Sequence, residues 1–347
     1  MKNTTFLDAC WQKDTDYTPV WYMRQAGRYQ PEYRKIREKY SLLEICQIPE
    51  LCCEVTRLPV AQLGVDAGIL FSDISLPIGA MGRNFDIEEN RGPVLESPVR
   101  TAADVAGLRL FDADESLPYV LESIRMIVAE LDVPLIGFAG APFTLASYMI
   151  EGGPSRDYLR TKGMMWDAPE LWQQLMDKLA ASTSAYLRAQ IDAGVSAVQL
   201  FDSWVGALSP QDYRQFVLPV MQRIFSDLRG LHVPMIYFGV GTGELLTDFA
   251  ETGATVIGVD WRVPLPQARW RVGPQLAVQG NLDPALMLAS WPTIKEAATE
   301  TLDAVGSQPG HIFNLGHGVI RTTPVEHLQR LTDWIHQYTS SYRRIEK

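Results

Sequence analysis

The chain has 347 residues, of which 46% are hydrophobic and 21% charged, and its formal net charge is -10 at pH 7. A chain of that length fits one large domain or two ordinary ones, and it buries enough apolar surface to need no disulfide or metal for its core. The acidic balance argues against broad nucleic-acid binding, which needs a basic field, but it leaves room for an anionic small ligand in a local arginine pocket.

Residues 1–18 read as a mobile lead-in with one helical turn. They contain no signal-like apolar stretch, and no run in the chain approaches the roughly 20 apolar residues of a membrane span. Residues 19–23 read as a short buried strand. Arg24, Gln25, Ala26, Gly27 and Arg28 follow at once. If the turn after Met23 is helical, the i, i+4 spacing puts Arg24 and Arg28 on one side. Two arginines alone are more often solvated surface charge. Between Pro31 and Leu63, Ile36, Tyr40, Leu43, Cys46 and Leu51 recur near helical spacing, and Pro49 divides the run into two helices. The four cysteines (Cys10, Cys46, Cys52 and Cys53) all lie in this first part of the chain. They read as reduced, core-facing thiols of a cytoplasmic protein, since a disulfide scaffold would spread them.

Short apolar runs come next, at 67–71, 134–139, 197–201, 234–238, 256–259, 276–279 and 311–315. Each is continuously apolar, as parallel strands covered on both faces are. The longer spacers read as helices over 116–130, 171–193, 210–228, 243–251, 291–305 and 324–338. With residues 19–23 there are eight strands, and the alternation predicts an α/β fold: a single (β/α)₈ TIM barrel over residues 1–347. A long insertion, 72–115, follows the second strand, and its 83–94 portion can form a hairpin. Residues 261–274 leave room for only a short helix.

Such a barrel builds its active site at the C-terminal strand ends. The residues found there are Arg24, Gln25 and Arg28; Ser72 and Asp73; Gly140 to Pro142 with Tyr148 beyond; Asp202, Ser203 and Trp204; Gly239, Gly241 and Gly243; Asp260, Trp261 and Arg262; Gly280, Asn281 and Asp283; and Gly316, His317 and Gly318. So many polar and glycine termini favour a shared site over solvated surface charge. Each also has a plainer reading. Asp73 or Asp202 could cap a helix or turn. His317 could be a hydrogen-bonded core histidine. The Gly-x-Gly-x-Gly departs from nucleotide-binding spacing and reads as a tight βα turn. No His-Glu-x-x-His or Cys-x-x-Cys is present, and Ser203 lacks a nucleophile elbow. The set of cationic forks, carboxylates, hydroxyls and one histidine suits a multiply anionic substrate.

These residues resemble the uroporphyrinogen decarboxylase family. The resemblance rests on Met23 to Tyr29; Phe71 to Asp73; Gly140 to Thr144 with Tyr148 and Glu151 to Gly153; Phe201 to Trp204; Val278 to Asp283; and Phe313 to Gly318. It spans roughly residues 5–340 and departs modestly at Gln30 and at 163–166. It implies a lyase without cofactor or metal, usually a homodimer in the cytoplasm, acting on a small-molecule tetrapyrrole. The reaction it implies converts the four acetates of uroporphyrinogen III to methyls, giving coproporphyrinogen III. By the same resemblance, Asp73 would face the pyrrole N–H groups. Arg24, Arg28 and the backbone from Gln25 to Gly27 would hold carboxylates. Tyr148, Ser203 and His317 would be further substrate contacts. Two rival readings are a corrinoid-linked methyltransferase on the same fold and a non-catalytic tetrapyrrole carrier.

Overall fold

A computed structural model describes residues 2–88 and 92–343, apart from the side chains of the last two residues of that range. In chain order, β1 (Gly68–Ile69) is followed by an antiparallel hairpin, β2 (Phe85–Glu88) with β3 (Gly92–Leu95). The strands β4 (Leu135–Gly140), β5 (Ala197–Asp202), β6 (Met235–Gly239), β7 (Val256–Gly258), β8 (Ala277–Gln279) and β9 (His311–Ile312) come after it. Leaving the hairpin aside, the other seven form one curled parallel sheet in the order β1-β4-β5-β6-β7-β8-β9. Every residue of β4 and of β6 is buried. Helices cover one face and the opposing side chains fill the other, which is why these strands carry no polar alternation. The helix Pro169–Asp192 shows how tightly the layers are joined. Its Gln190 side chain donates to the Phe138 carbonyl and accepts from the Phe138 N–H, both at 2.9 Å.

The strand expected at 19–23 is reduced to a bridge. Val20 pairs in parallel with Phe313, the Phe313 N–H donates to Pro19 O at 2.8 Å, and the Asp66 N–H donates to Val20 O at 2.7 Å. The segment therefore lies between the two edge strands of the sheet, β9 and β1. Asp66, itself buried, fixes it there. One oxygen accepts from the Val20 N–H at 2.8 Å and meets His336 Nε2 at 2.7 Å. The other accepts from Tyr17 Oη at 2.8 Å and Asn3 Nδ2 at 2.9 Å. The lead-in contributes α1 (Thr5–Cys10), which packs Phe6, Ala9 and Cys10 into the core.

Other boundaries differ from expectation for local reasons. The run 31–63 is three helices, α2 (Pro31–Arg37), α3 (Leu42–Gln47) and α4 (Pro49–Leu63), not two. The extra break is a capping box. Ser41 Oγ accepts from the Glu44 N–H, and the Glu44 carboxylate accepts from the Ser41 N–H. The helix expected over 210–228 divides at Val217, one residue into a new start with Pro219 in its first turn. Residues 142–151 and 159–167 form helices that no separate element had been assigned to. The short helix after β7 is present, as Leu265–Val272.

We predict that Asp66→Ala lowers stability by about 3 kcal/mol, because it strands the buried Val20 N–H and removes the partner of three part-buried donors at once. Urea unfolding would show it. A loss below about 1 kcal/mol would mean that this carboxylate does not hold the lead-in.

Candidate functional site

The turn after Tyr22 is not helical, so the expected i, i+4 alignment of Arg24 and Arg28 does not form. Arg24 instead takes a left-handed backbone, φ +58. That conformation costs a non-glycine residue about 1–2 kcal/mol, and its neighbours hold it in place. Gln25 N–H donates to Tyr22 O at 3.0 Å, and Gln25 Nε2 reaches Ala67 O at 3.2 Å. The Met23 N–H donates to Asn314 Oδ1 at 3.1 Å, and the Val319 N–H donates to Met23 O at 2.9 Å. Gly318 is where the Arg24 side chain passes, and a Cβ there would overlap it. Arg34 Nη1 ties down the carbonyl of Arg28 at 2.9 Å.

The Gln25 side chain is therefore buried and turned toward Ala67, just before β1. Gly27 N–H is also engaged, on Gln30 Oε1 at 3.1 Å. Of the backbone donors expected from Gln25 to Gly27, only the Ala26 N–H makes no hydrogen bond among the described residues.

Asp73 follows β1 and is half-buried. Its Oδ1 accepts from the Ser75 N–H at 2.8 Å and, in a very short bond, from the Ser75 hydroxyl. The capping role is thus filled by one oxygen, and Oδ2 has no partner among the described residues. Tyr148, on the helix Pro142–Glu151, stands close enough for its charge to matter. Burial raises the Tyr148 pKa most, Asp73 and Tyr158 raise it further, and Arg24 works against them. Its phenol therefore keeps its proton. On the other side, burial, then Arg24 and to a smaller degree Arg262, lower the His317 pKa to about 4, with Asp260 opposing. The imidazole is neutral at pH 7. Unlike His311 and His327, which bond to carbonyls at 2.9 Å, His317 has no hydrogen bond among the described residues. It is not the satisfied core histidine of the plainer reading.

Arg24 links the Asp73–Tyr148 side to His317. Arg28 lies on another flank. It is half-buried near Tyr33, whose ring meets Phe71, two residues before Asp73, at 5.6 Å. Ser203 follows Asp202 directly, and the next residue, Trp204, packs its ring 4.0 Å from Tyr148 and 5.3 Å from Tyr158. The Gly-x-Gly-x-Gly is a tight turn, with Gly241 at φ +70 and its N–H on the Asp260 carboxylate.

Two of the strand-end groups have contacts that were not legible in the sequence. Asp202 is fully buried and accepts from Thr144 Oγ1 and Tyr237 Oη, each at 2.7 Å. Burial pushes its pKa up to about 6 against those two hydrogen bonds. Thr144 Oγ1 also accepts from the Trp204 N–H at 3.3 Å, so Asp202 sets the Ser203–Trp204 turn. It is not the helix cap it could have been. Ser209 fills that role, its side chain accepting from the Asp212 N–H. The second group is Asp260, Trp261 and Arg262, with the guanidinium 3.9 Å from the Trp261 ring centroid. All four cysteines are buried and free.

A family model described as Uroporphyrinogen decarboxylase (URO-D) matches residues 1–338. The chain belongs to the uroporphyrinogen decarboxylase family. It is 56% identical over 340 residues to a uroporphyrinogen decarboxylase of Geobacillus kaustophilus, covering 98% of each chain. It is 53% identical over 346 residues to one of Carboxydothermus hydrogenoformans, covering 99% of each. Among solved structures, a methyltransferase from Methanosarcina mazei superposes with a TM-score of 0.83, at 21% identity over 97% of this chain and 99% of that one. At that identity the likeness shows the fold alone. Family membership decides against the methyltransferase rival. No described helix is long and apolar enough to cross a membrane.

The His317 ring should titrate near pH 4, well below its ordinary 6.5. A depressed pKa in the folded state means that stability is full above pH 6.5 and declines as pH falls toward 4, where the unfolded chain binds the proton first. Proton NMR of the imidazole would test this, and a midpoint between 6 and 7 would contradict it.

Proposed function

We propose that this protein decarboxylates the four acetate side chains of uroporphyrinogen III to methyls, releasing CO₂ and coproporphyrinogen III. Family membership supports the reaction. The observation that carries the site reading is the strained Arg24, with Asp73 and Tyr148 acting on one side of it and His317 on the other. We count residues 19–23 as the eighth strand of a closed (β/α)₈ barrel, with 72–115 as an insertion, so these residues share the C-terminal rim. Residues 1–347 form one domain on this reading. A homodimer and a cytoplasmic location come with the family resemblance.

Loss of CO₂ from an acetate leaves an electron pair that needs a sink. A pyrrole protonated on the ring carbon beside nitrogen supplies one. Asp73 Oδ2 faces the pyrrole N–H groups and stabilises the cationic ring electrostatically, without transferring a proton itself. Arg24, Arg28 and the Ala26 N–H hold side-chain carboxylates and orient the departing one. Tyr148, Ser203 and the neutral His317 complete the contacts. Four proton sources are compatible with this arrangement: Tyr148, His317, bound water and, at low population, an arginine that gives up its proton. No cofactor enters the scheme.

Asp73→Asn is expected to keep the fold and lose most turnover, at least about 100-fold. Near-normal decarboxylation by that variant would sink the electrostatic role. Arg28→Ala should weaken substrate binding and release intermediates with five to seven carboxyls, seen by porphyrin chromatography after oxidation. A wild-type product profile would argue against the clamp. Anaerobic turnover of uroporphyrinogen III by the intact protein separates catalysis from mere carriage.

A further inference from the structure

Arg262 is a guanidinium on the same rim with no part in the scheme above. It follows Asp260 and Trp261 just beyond β7. Its side chain is 50% exposed while that of Asp260 is 1% exposed. This is not an exchangeable surface pair, because three contacts fix its direction. Asp260 Oδ2 accepts from Arg262 Nη1 at 2.7 Å, Asp260 Oδ1 accepts from the Arg262 backbone N–H at 3.0 Å, and the guanidinium lies on the Trp261 ring. Asp260 is in turn held by the Gly241 N–H. A guanidinium has five donors, and Asp260 takes up one of them.

The exposed side of this fork borders a hollow of about 300 Å³, lined also by Gly241, Gly243, Glu244, Gln267 and Arg271. Arg271 adds a second positive charge to that wall. It donates to Gly243 O and stands 3.4 Å from the exposed Glu244. Trp261 meets the His317 ring edge-on at 6.4 Å. Arg262 thus stacks on the ring that meets His317, one of the candidate substrate contacts.

We propose that Arg262 is a carboxylate-anchoring residue, receiving a peripheral side-chain carboxylate of the tetrapyrrole on the β7 side of the cleft. This rests on the tetrapyrrole reading above. A macrocycle centred over Asp73 carries carboxylates around its whole edge, so the arginines after residue 23 reach only part of it. A planar fork pre-set by Asp260 and Trp261 binds a carboxylate with little further loss of side-chain entropy. Its half-exposure screens the pair and keeps the effect moderate.

The test is anaerobic steady-state turnover of uroporphyrinogen III by Arg262→Gln and Arg262→Lys. The glutamine variant should raise KM about tenfold, a change of 1.4 kcal/mol, with kcat within about twofold and the melting temperature unmoved. The lysine variant keeps the charge without the fork, and its KM should fall between the two. An unchanged KM in both variants overturns the proposal. So does a fall in kcat and melting temperature with KM intact, which marks a structural role. Arg28→Ala in the same assay separates the two readings. If it raises KM and the Arg262 variants do not, only the Arg262 anchor fails. If neither it nor the Arg262 variants change KM, the carboxylate-clamp reading fails as well.

Discussion

The buried carboxylate of Asp66 is the constraint on which the site depends. It takes the Val20 N–H, the Tyr17 hydroxyl, the Asn3 amide and His336, and so joins the lead-in, β1 and the C-terminal helix in one place. With Val20 fixed between β9 and β1, Trp21 and Tyr22 are fixed too, and the chain can leave the sheet at Met23 in only one direction. Arg24 follows in the left-handed conformation, held there by Asn314 and Val319 on either side of Met23. A stranded acid this deep would be costly, but four donors satisfy it, and the energy is spent on direction more than on net stability.

The same economy recurs at β5. Asp202 does not meet solvent, yet through Thr144 it sets the Trp204 backbone, and Trp204 backs the Tyr148 ring. Tyr237 closes its other side and is itself reached by Tyr213 at 3.3 Å. The turn that carries Trp204 is thus set by polar groups that stay buried.

How much of this could be read in the sequence depended on the kind of signal. The seven sheet strands were legible because two-sided burial leaves continuous apolar runs, which no helix of that length needs. The strand ends were legible as a candidate site because polar residues broke those runs at matching places. Ser41 and Glu44 also carried their capping-box spacing openly, though the hydrophobic period of 31–63 masked it. Other features had no local signature. A left-handed arginine looks like any arginine, since the cause lies in Asn314 and Val319 at the far end of the chain. Asp202 before Ser203 has the spelling of a cap, and only its depth distinguishes it. Gln25 reads as one more polar group beside two arginines, and only the carbonyl of Ala67 shows that it points inward.

Gly318 gives way to the side chain of Arg24, so the first and last of the site's loops occupy each other's space. This sets an order on assembly during synthesis. Residues 24–28 are synthesised well before residues 314–319, which hold and surround them. A contact of such long range is expensive to form early. The turn at Arg24 is therefore completed only by residues made after every strand of the sheet.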